Sequence, residues 1–598
     1  MEHLTDFKPI ERVILPGLGE LNCSGLILIV GPNSSGKTQF LQDLYHRISG
    51  VPRALVVAQQ IEIRKPDYEP FLKCLEEDGY VTRFLDENDT PHLRPMTTYL
   101  GTGQGAPQIQ ANQAQSWHQS FAPTSAPKYK RNVEFLNYFG RLLVTALFLE
   151  RRLISVNQVG MFDYQTQPPQ NDLHALYMND FARNELFEET VRSFSKAVWP
   201  DASRGNTLCL RVADEEQLPT PEQRLSPSVM GKFRTIETEG DGLKSYVATC
   251  IALLLGRRPV CLVDEPEMCL HPPQAYSLGR FIGRFGASTE NATFIATHSS
   301  HVLRGVIQTA EKLQIVRLTR RGGGFHAHLV PQDALAESLT KPTVRAESVL
   351  DGIFAQAVVI LEGDSDRTVY QAVWETLNKE FRFDLHFAPV GGTGGFADTC
   401  RLYRTLKIPV AVLADLDIII DAERLRRVIS QLSSDTAEIE RLVARADDIV
   451  AAIKAMPPTI SADDVKKELE NIYKADMEWS RGDDGQLRDR LLEIARGLDR
   501  MTRLKRGGTS AMPRQVAEPL ILLLHDLQGI GLFVVPVGEL EEWLAGEGIS
   551  ASKQNKWAWA NEAAVLVRQC GSQPGDVWDF VRGVAKYLQS EPPPTGTV

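Results

Sequence analysis

The chain has 598 residues, of which 65 are Lys or Arg and 76 are Asp or Glu, giving a formal net charge of −11. Its composition, 43% hydrophobic and 24% charged, is globular and excludes a largely disordered or fibrous protein. The length predicts about three or four domains. The longest apolar runs are far shorter than the roughly 20 residues of a membrane span, and the acidic N-terminus lacks the features of a signal peptide. We therefore expect a cytoplasmic protein without membrane contact.

The negative charge argues against nucleic acid wrapping the whole surface, because phosphate contacts are made by lysine and arginine. It remains compatible with a local basic groove. The candidate basic clusters are Lys128, Lys130 and Arg131; Arg317, Arg320 and Arg321; and Arg503, Lys505 and Arg506. Each is equally compatible with a solvated loop or helix end.

The first motif in the chain is a phosphate-binding loop. Residues 31–38 read Gly-Pro-Asn-Ser-Ser-Gly-Lys-Thr, between an apolar strand predicted at Leu26–Val30 and a helix predicted at Gln39–Ser49. In this pattern backbone N–H groups surround the phosphates, the lysine neutralises the β and γ oxygens and the threonine hydroxyl ligates Mg²⁺. The sequence predicts an ATP site formed by Gly31, Asn33, Ser34, Gly36, Lys37 and Thr38.

A second predicted strand ends in two acids, Asp264 and Glu265, within the run Pro-Val-Cys-Leu-Val-Asp-Glu-Pro-Glu at 259–267. In a P-loop enzyme we expect this strand beside the P-loop strand. Asp264 would then hold Mg²⁺ and Glu265 would polarise the attacking water. A third strand, in the run 291–297, is followed by His298.

Together these runs, with Asp-Glu-Pro-Glu-Met-Cys-Leu-His-Pro at 264–272, resemble the ATP-binding-cassette ATPases of DNA repair and chromosome maintenance. The resemblance implies that His298 is a γ-phosphate switch. It also implies that Gly240 and Gly242, in the run Glu239–Ser245, form the signature loop that contacts ATP on another subunit, and hence a homodimer. That run departs from the usual Ser-Gly-Gly form. The family's Q-loop glutamine is left open among Gln59, Gln60 and Gln158.

Lys37 and Asp264 lie 227 residues apart, more than a minimal cassette needs. We therefore expect a split ATPase domain at 1–65 and 200–340, with an insertion at 66–199 made of a linker and a helical dimerisation region. Proline and glycine interrupt the insertion too often for a long coiled coil.

The second half of the chain carries a set of acidic residues at predicted strand ends. Glu362 follows the strand Ala357–Leu361, and Asp366 stands four residues later in a helix; Asp415 and Asp417 follow the strand starting at Pro409. Alternation along an extended chain would place the last two on one side. Because the carboxyl ends of parallel strands meet at one edge of a sheet, we expect these four carboxylates to converge on Mg²⁺ or Mn²⁺.

This arrangement resembles the Toprim fold of topoisomerases, primases and nucleases, and Glu539 and Glu541, after the strand-like 531–537, resemble a further acidic motif of Toprim nucleases. An ABC-type ATPase followed by a Toprim domain resembles the OLD (overcoming lysogenization defect) family of ATP-dependent endonucleases and the related Gabija nuclease subunits. The resemblance implies a Toprim domain at 341–420 and 525–598. Between these parts, apolar residues at helical spacing among dense charges predict a helical insertion or hairpin at 421–524. The resemblance also implies a lysine near the C-terminus, for which Lys556 and Lys586 are available.

We thus expect an α/β protein that acts as an ATP-regulated, divalent-metal-dependent DNA endonuclease, with an implied role in anti-phage defence. Its catalytic residues would be Glu265 and His298 in the ATPase and the Glu362, Asp366, Asp415 and Asp417 cluster in the nuclease. The alternatives are a non-catalytic ATP-driven DNA clamp or sensor, and an RNA or tRNA nuclease. A co-encoded helicase, reverse transcriptase or other defence protein is a possible partner.

Overall fold

A computed structural model describes residues 3–85, 91–95, 117–122, 132–165, 168–218, 227–286, 291–332, 335–336, 347–458, 460–474, 484–545, 547–552, 555–569 and 576–590. The chain divides into two compact units, residues 1–333 and 334–598. None of the described helices is long and apolar enough to cross a membrane.

The first unit alternates strands and helices. Its strands are β1 Ile10–Leu15, β2 Gly19–Leu21, β3 Gly25–Val30, β4 Gln60–Ile63, β5 Val81–Leu85, β6 Pro91–Pro95, β7 Val144–Leu147, β8 Val159–Gly160, β9 Lys196–Asp201, β10 Thr207–Asp214, β11 Arg234–Thr235, β12 Val260–Asp264, β13 Ala292–Ala296, β14 Leu313–Arg321 and β15 Gly324–Val330. Its helices are Lys37–Ile48, Tyr68–Glu77, Val133–Leu143, Leu149–Ser155, Asp172–Met178, Asp180–Phe194, Pro227–Met230, Asp241–Leu255, Pro272–Phe285 and Ser300–Thr309.

The central sheet of this unit has six strands in the order β15-β14-β3-β13-β12-β7. All neighbouring pairs are parallel except β14 and β15. The apolar runs of β3 and β13 are buried almost throughout, as expected for parallel strands covered on both faces. The strand β13 separates β12 from β3, so the expectation that the strand ending in Asp264 lies directly beside the P-loop strand is wrong. The strand that leads to His298 occupies that place.

The edge strand β7 lies inside the range 66–199, which we expected to be an insertion. Its residues pair in parallel with β12, from Val144 opposite Val260 to Leu147 opposite Val263. Part of that range therefore belongs to the ATPase sheet, because the last sheet position is filled from it. The smaller sheets of this unit are β2-β1-β4, β10 with β8, β9 and β11, and β5 with β6.

The segment Ala54–Ala58, which also reads as a strand in the sequence, forms no regular strand. The Asp43 carboxylate accepts hydrogen bonds from the backbone N–H groups of Val57, at 2.7 Å, and Ala58, at 3.2 Å. These donors are therefore engaged by a side chain rather than by a neighbouring strand. The strand β4 begins later, at Gln60.

The second unit is built on a four-stranded parallel sheet in the order β17-β16-β18-β19. These strands are β16 Ala357–Leu361, β17 Leu385–Pro389, β18 Val410–Ala414 and β19 Leu532–Val534. Its helices are Glu347–Asp351, Asp364–Phe381, Phe396–Thr405, Ala422–Leu432, Thr436–Ala455, Ala462–Lys474, Asp484–Leu498, Arg500–Gly507, Arg514–Gly529, Lys556–Gln569 and Val577–Ser590. The range 421–524 thus carries helices between β18 and β19, and the two strands it separates in sequence are neighbours in the sheet.

Candidate nucleotide and nuclease sites

The phosphate-binding loop joins β3 to the helix Lys37–Ile48 and depends on backbone freedom at its two glycines. Gly31 and Gly36 have φ angles of +143° and +95°, and a Cβ atom at Gly31 would lie 2.1 Å from the carbonyl oxygen of Leu318. Lys37 is buried, and its Nζ donates to the backbone oxygens of Gly31, at 2.9 Å, and Pro32, at 3.0 Å. The ammonium group therefore lies within the curve of the loop. Asn33 and Ser34, by contrast, are exposed at its tip.

The two residues expected to hold the magnesium of the nucleotide meet in the fold. Thr38 donates from Oγ1 to Oδ1 of Asp264 over 3.0 Å. Burial raises the pKa of Asp264 to about 6, and the hydrogen bond from Thr38 acts in the opposite direction. A hydroxyl and a carboxylate side by side form the oxygen-donor pair that Mg²⁺ takes in P-loop ATPases.

Glu265 and His298 also meet, across the ends of β12 and β13. His298 Nδ1 lies 3.1 Å from Glu265 Oε1. This hydrogen bond lowers the pKa of Glu265 and raises the pKa of His298. Glu265 has a φ of +46°, a left-handed conformation that is unfavourable for a residue with a side chain. The candidate base and the candidate switch are therefore coupled in a strained turn.

Glu267, which the sequence analysis did not single out as a site residue, holds the backbone before the switch histidine. Its Oε1 accepts from Thr297 Oγ1 at 2.7 Å and from the backbone N–H of His298 at 2.9 Å. Burial raises the pKa of this carboxyl, and the bonds from His298 and Thr297 oppose that effect. The signal for this role was its place in the Asp-Glu-Pro-Glu run.

Arg152 is a second residue that the sequence analysis missed. It has 0% exposed surface and donates to the backbone oxygens of Leu147, at 3.0 Å, of Glu265, at 2.9 Å, and of Asp264. Burial lowers the pKa of this guanidinium, and the carboxylates of Asp264 and Glu265 oppose that effect. One buried cation therefore supports the turn that carries both acids.

The Q-loop was left open among Gln59, Gln60 and Gln158. Gln60 hydrogen-bonds Glu62, and Gln158 Oε1 accepts from Arg204 at 3.2 Å. These contacts do not decide between the candidates, so the Q-loop residue stays open. For Arg152, which lies in the helix Leu149–Ser155 just after β7, the available signal was the run Leu-Glu-Arg-Arg after an apolar segment.

The signature-like glycines lie at the start of the helix Asp241–Leu255. Gly242 approaches the loop after β12 so closely that a Cβ atom would lie 2.4 Å from the carbonyl oxygen of Cys269. Gly240 precedes the helix, and a Cβ atom there would have open space. A contact within the chain thus accounts for Gly242, while a nucleotide-binding role for either glycine stays a prediction.

In the second unit, Glu362 directly follows β16 and Asp366 lies in the first turn of the helix Asp364–Phe381. Asp366 Oδ2 accepts from the backbone N–H of Gly363 at 2.9 Å, which fixes the carboxylate at the helix start. Burial raises the pKa of Asp366 to about 6, and the negative charge of Glu362 adds to the effect. The two acids therefore interact at the carboxyl end of β16.

Asp415 follows β18, which pairs directly with β16. Burial raises its pKa to about 8, and the carboxylates of Asp366, Glu362, Asp417 and Glu539 add to this shift. Such a pKa means that a proton stays on this group at neutral pH as long as no cation compensates its neighbours. Carboxylates from different strand ends thus lie near enough to Asp415 to raise its pKa.

The route by which Asp417 reaches this group differs from the prediction. The strand β18 ends at Ala414, and residues Leu416–Ile420 form a 3₁₀ helix, so strand alternation does not apply to Asp415 and Asp417. Asp417 instead accepts a hydrogen bond from Lys505 Nζ over 2.8 Å. That bond raises the pKa of Lys505, so this lysine carries its positive charge beside the acids.

Glu539 and Glu541 enter from the turn after β19. Gly538 in this turn has a φ of +110°, and a Cβ atom there would lie 2.0 Å from the carbonyl oxygen of Lys505. Burial raises the pKa of Glu539, and the neighbouring charge of Glu541 adds to it. Glu541 itself is 5% exposed. Both glutamates therefore lie near Asp366, Asp415 and Asp417. The sequence alone does not determine this placement.

Lys556, one of the two lysines left open, stands at the start of the helix Lys556–Gln569. Burial acts to lower its pKa, but the carboxylates of Glu541, Asp415 and Asp366 outweigh burial and raise it. Lys586 lies on the last described helix, Val577–Ser590. The structure therefore brings Lys556 to the acidic residues, and Lys505, first noted only in a basic cluster, lies beside them as well.

Of the other two basic clusters named in the sequence, one has a buried member and the other lies outside the described residues. Arg317 is 1% exposed, and its charge contributes to lowering the pKa of Lys37, so it belongs to the interior near the P-loop rather than to a surface groove. Lys128, Lys130 and Arg131 lie outside the described residues.

The acidic residues suit a hard divalent cation by their chemistry, since all offer carboxylate oxygens and Asp415, with a pKa of about 8, holds a proton that a cation would displace. In the described part of the chain, however, no three Asp, Glu, His or Cys side chains lie close enough to form a ready metal site. The ion pair of Lys505 with Asp417 keeps one of the carboxylates engaged. The donor set therefore fits Mg²⁺ or Mn²⁺, but the side chains are not arranged around a common point.

Two family models match the chain. One, described as overcoming lysogenization defect protein-like, TOPRIM domain, matches residues 353–417; the other, described as AAA domain, putative AbiEii toxin, Type IV TA system, matches residues 134–304. The first match covers Glu362, Asp366, Asp415 and Asp417. The second covers Arg152, Asp264, Glu265 and His298.

Endonuclease GajA from Bacillus cereus (strain VD045) is 26% identical over 163 residues, which make up 26% of this chain and 27% of that protein. The match thus spans about a quarter of the relative's length. Solved structures with similarity include an SMC head bound to the C-winged helix domain of ScpA, covering 55% of this chain and 100% of that chain at 12% identity and a TM-score of 0.29. The SMC head domain from Thermotoga maritima covers 54% of this chain and 100% of that chain at 12% identity and a TM-score of 0.26.

The two family matches fall on the two units in the order that the sequence indicated. The expected fold class, a P-loop ATPase domain followed by a Toprim domain within an α/β protein, is confirmed. The chain therefore carries, in this order, a region that matches an AAA ATPase domain model and a region that matches an OLD-like Toprim domain model.

Proposed function

We propose that this protein is an ATP-regulated, divalent-metal-dependent endonuclease that cleaves DNA. The observation that carries the proposal is the set of acids from three neighbouring strand ends, joined by Lys556, in an OLD-like Toprim domain. Carboxylates that raise one another's pKa values are a usual feature of catalytic sites. The endonuclease name of the relative supports the same reaction class.

In this proposal Glu362, Asp366, Asp415 and Asp417 bind the cation, with Glu539 and Glu541 as further ligands. A bound Mg²⁺ or Mn²⁺ would activate a water and stabilise the leaving oxygen of a phosphodiester. Lys556 would neutralise a phosphate oxygen of the substrate, because its ammonium group already lies in the field of the acids. Lys505 would release Asp417 for the cation and remain as a second positive group.

The ATPase unit would regulate cleavage through nucleotide-dependent assembly. The P-loop with Lys37 and Thr38 would hold ATP with Mg²⁺, while Glu265 would activate water and His298 would respond to the γ-phosphate. Gly240 and Gly242 would meet the nucleotide of a second copy, so the active form would be at least a homodimer. Nucleotide state would then change the dimer and, with it, access to the nuclease site.

We further propose a role in defence against phage DNA, with a co-encoded helicase, reverse transcriptase or other protein as a partner. Supercoiled plasmid incubated with purified protein tests the central activity, in Mg²⁺ or Mn²⁺, with and without ATP. We expect nicking or linearisation that ceases when a chelator is added. An RNA substrate in parallel separates a DNA nuclease from an RNA nuclease, and cleavage of neither would leave the non-catalytic sensor.

A further inference from the structure

Trp557 differs from the other tryptophans that the structure describes. It is 74% exposed, whereas five others, Trp117, Trp199, Trp374, Trp559 and Trp578, are between 2% and 6% exposed and Trp543 is half-buried. Tryptophan is enriched at binding interfaces, because its ring joins a large apolar surface to a polar N–H group.

The helix that carries Trp557 packs along the helix Asp364–Phe381. The charge of Asp366, in the first turn of that partner helix, acts on Lys556, the first residue of the helix with Trp557. Twelve residues later Arg568 Nη2 lies 2.9 Å from Oε2 of Glu375, further along the same partner helix. The two helices therefore run side by side in the same direction, and the end with Trp557 lies at the carboxylates.

The pattern Lys-Trp-Ala-Trp sets which face of this helix each residue occupies. Trp559 is packed in the core of the unit with Ala563 and Val567. Residues two apart on a helix are separated by about 200°, so burying Trp559 turns Trp557 outward. Trp557 directly follows Lys556, and the two side chains leave the helix about 100° apart. The exposed indole and the cation of the proposed nuclease site therefore lie at the same end of this helix.

We propose that Trp557 is a stacking platform for a base of an unpaired DNA strand whose phosphate contacts Lys556. The inference rests on the proposed nuclease function and specifies its substrate. A nucleic acid strand alternates anionic phosphates with flat bases, which matches a cation beside an exposed aromatic ring. Bases inside a duplex hide their faces in the stack, so the platform favours single-stranded or locally opened DNA. A second copy of the protein is the less favoured occupant, because a single ring beside a positive charge calls for a partner that alternates flat rings with negative charges.

The first experiment compares cleavage by full-length wild type, Trp557→Ala and Trp557→Phe in Mn²⁺. The substrates are a single-stranded oligonucleotide and a fully paired duplex of the same sequence. Stacking predicts a KM about tenfold higher for Trp557→Ala on the single strand, a smaller rise for Trp557→Phe and little change on the duplex. Val565→Ala, which trims another exposed apolar residue of the same helix, should behave like wild type.

The second experiment does not depend on cleavage. Acrylamide quenches exposed indoles, so the most accessible part of the fluorescence should disappear in Trp557→Phe. We expect a single-stranded oligonucleotide, added to wild type in chelator-free buffer with Ca²⁺, to protect that part. Absence of protection, or an unchanged KM in Trp557→Ala, overturns the inference. If Trp557→Ala lowers the mass measured by light scattering but leaves the KM unchanged, Trp557 contacts another copy of the protein. This result also overturns the inference. If wild type cuts nothing, the proposed function fails, while protection by the oligonucleotide still decides the role of Trp557.

Discussion

The guanidinium of Arg152 lies 2.9 Å from the carbonyl oxygen of Glu265, and no part of this arginine is exposed to solvent. The bond supports a turn in which Glu265 has a φ of +46°. Arg152 follows β7, and Glu265 follows the neighbouring strand β12. Through this hydrogen bond Arg152 supports the backbone of the acid proposed to activate water.

We predict that Arg152→Ala slows ATP hydrolysis at least tenfold with a much smaller effect on ATP binding. The variant leaves buried carbonyl oxygens without donors, which costs about 1–3 kcal/mol and frees the turn. Arg152→Lys should also be impaired, since an ammonium group does not reproduce the planar fork. Turnover and nucleotide titration are the measurements. The neighbouring Arg151→Ala serves as control, because Arg151 is exposed and bonds only Tyr45 Oη among the hydrogen bonds described. Normal turnover in Arg152→Ala would refute this role.

We predict that Lys37→Ala abolishes ATP binding and leaves the fold intact. The side chain supplies charge to the phosphates, while the hydrogen bonds it makes with described residues go to oxygens of its own loop. Nucleotide titration measures the loss, and the melting temperature checks the fold. Unchanged affinity with an unchanged melting temperature would mean that the loop binds no nucleotide.

The ATPase unit should assemble at least into a dimer. In the proposed arrangement, Gly240 and Gly242 contact the ATP bound by a second copy and not the ATP of their own subunit. Light scattering at micromolar concentration, with and without ATP, measures the mass. Gly240→Ala is the informative variant, because a Cβ atom there meets nothing within the chain. We expect it to fold normally but to weaken ATP-dependent assembly. A monomer under every condition would contradict the dimer.

The role of a site residue was predictable from the sequence where it follows from a short local motif. It was not predictable where it depends on contacts that only the fold creates. The P-loop and the acids at strand ends were predictable, because short motifs with flanking apolar runs fix both their chemistry and their position. Arg152 and Lys505 were not, because each reaches its partner through contacts between segments far apart in the chain. Asp417 was predicted for a wrong reason, since the chain leaves the extended form at Leu416.

The acids of the second unit should make the metal-free protein less stable as pH rises. Asp415 has a pKa of about 8 in the folded chain, well above the ordinary value near 4 that it has when unfolded. Between these values the folded state binds the extra proton, so the free energy of unfolding falls as pH increases.

The variant Asp415→Asn tests this prediction. An amide does not titrate, so the variant lacks the pH dependence of stability that Asp415 causes. In chelator, it should melt at a higher temperature than wild type, with a larger difference at pH 8 than at pH 5 and a gain of about 1 kcal/mol or more. Asp364→Asn, at an exposed position at the start of the neighbouring helix, is the control. Equal melting temperatures of Asp415→Asn and wild type at both pH values would show that Asp415 is ionised normally.

The most direct test of the central claim is cleavage of supercoiled plasmid by Asp415→Ala, measured together with ATP hydrolysis by the same preparation. Removing one carboxylate takes away a ligand and the charge that holds the cation, whereas Lys37, Thr38 and Asp264 keep their own arrangement. We predict that wild type cuts the plasmid in Mg²⁺ or Mn²⁺ and that Asp415→Ala does not, while both hydrolyse ATP at similar rates. Cutting by Asp415→Ala at the wild-type rate, or no cutting by wild type under any metal and nucleotide condition, would contradict the assignment of a nuclease site to these acids.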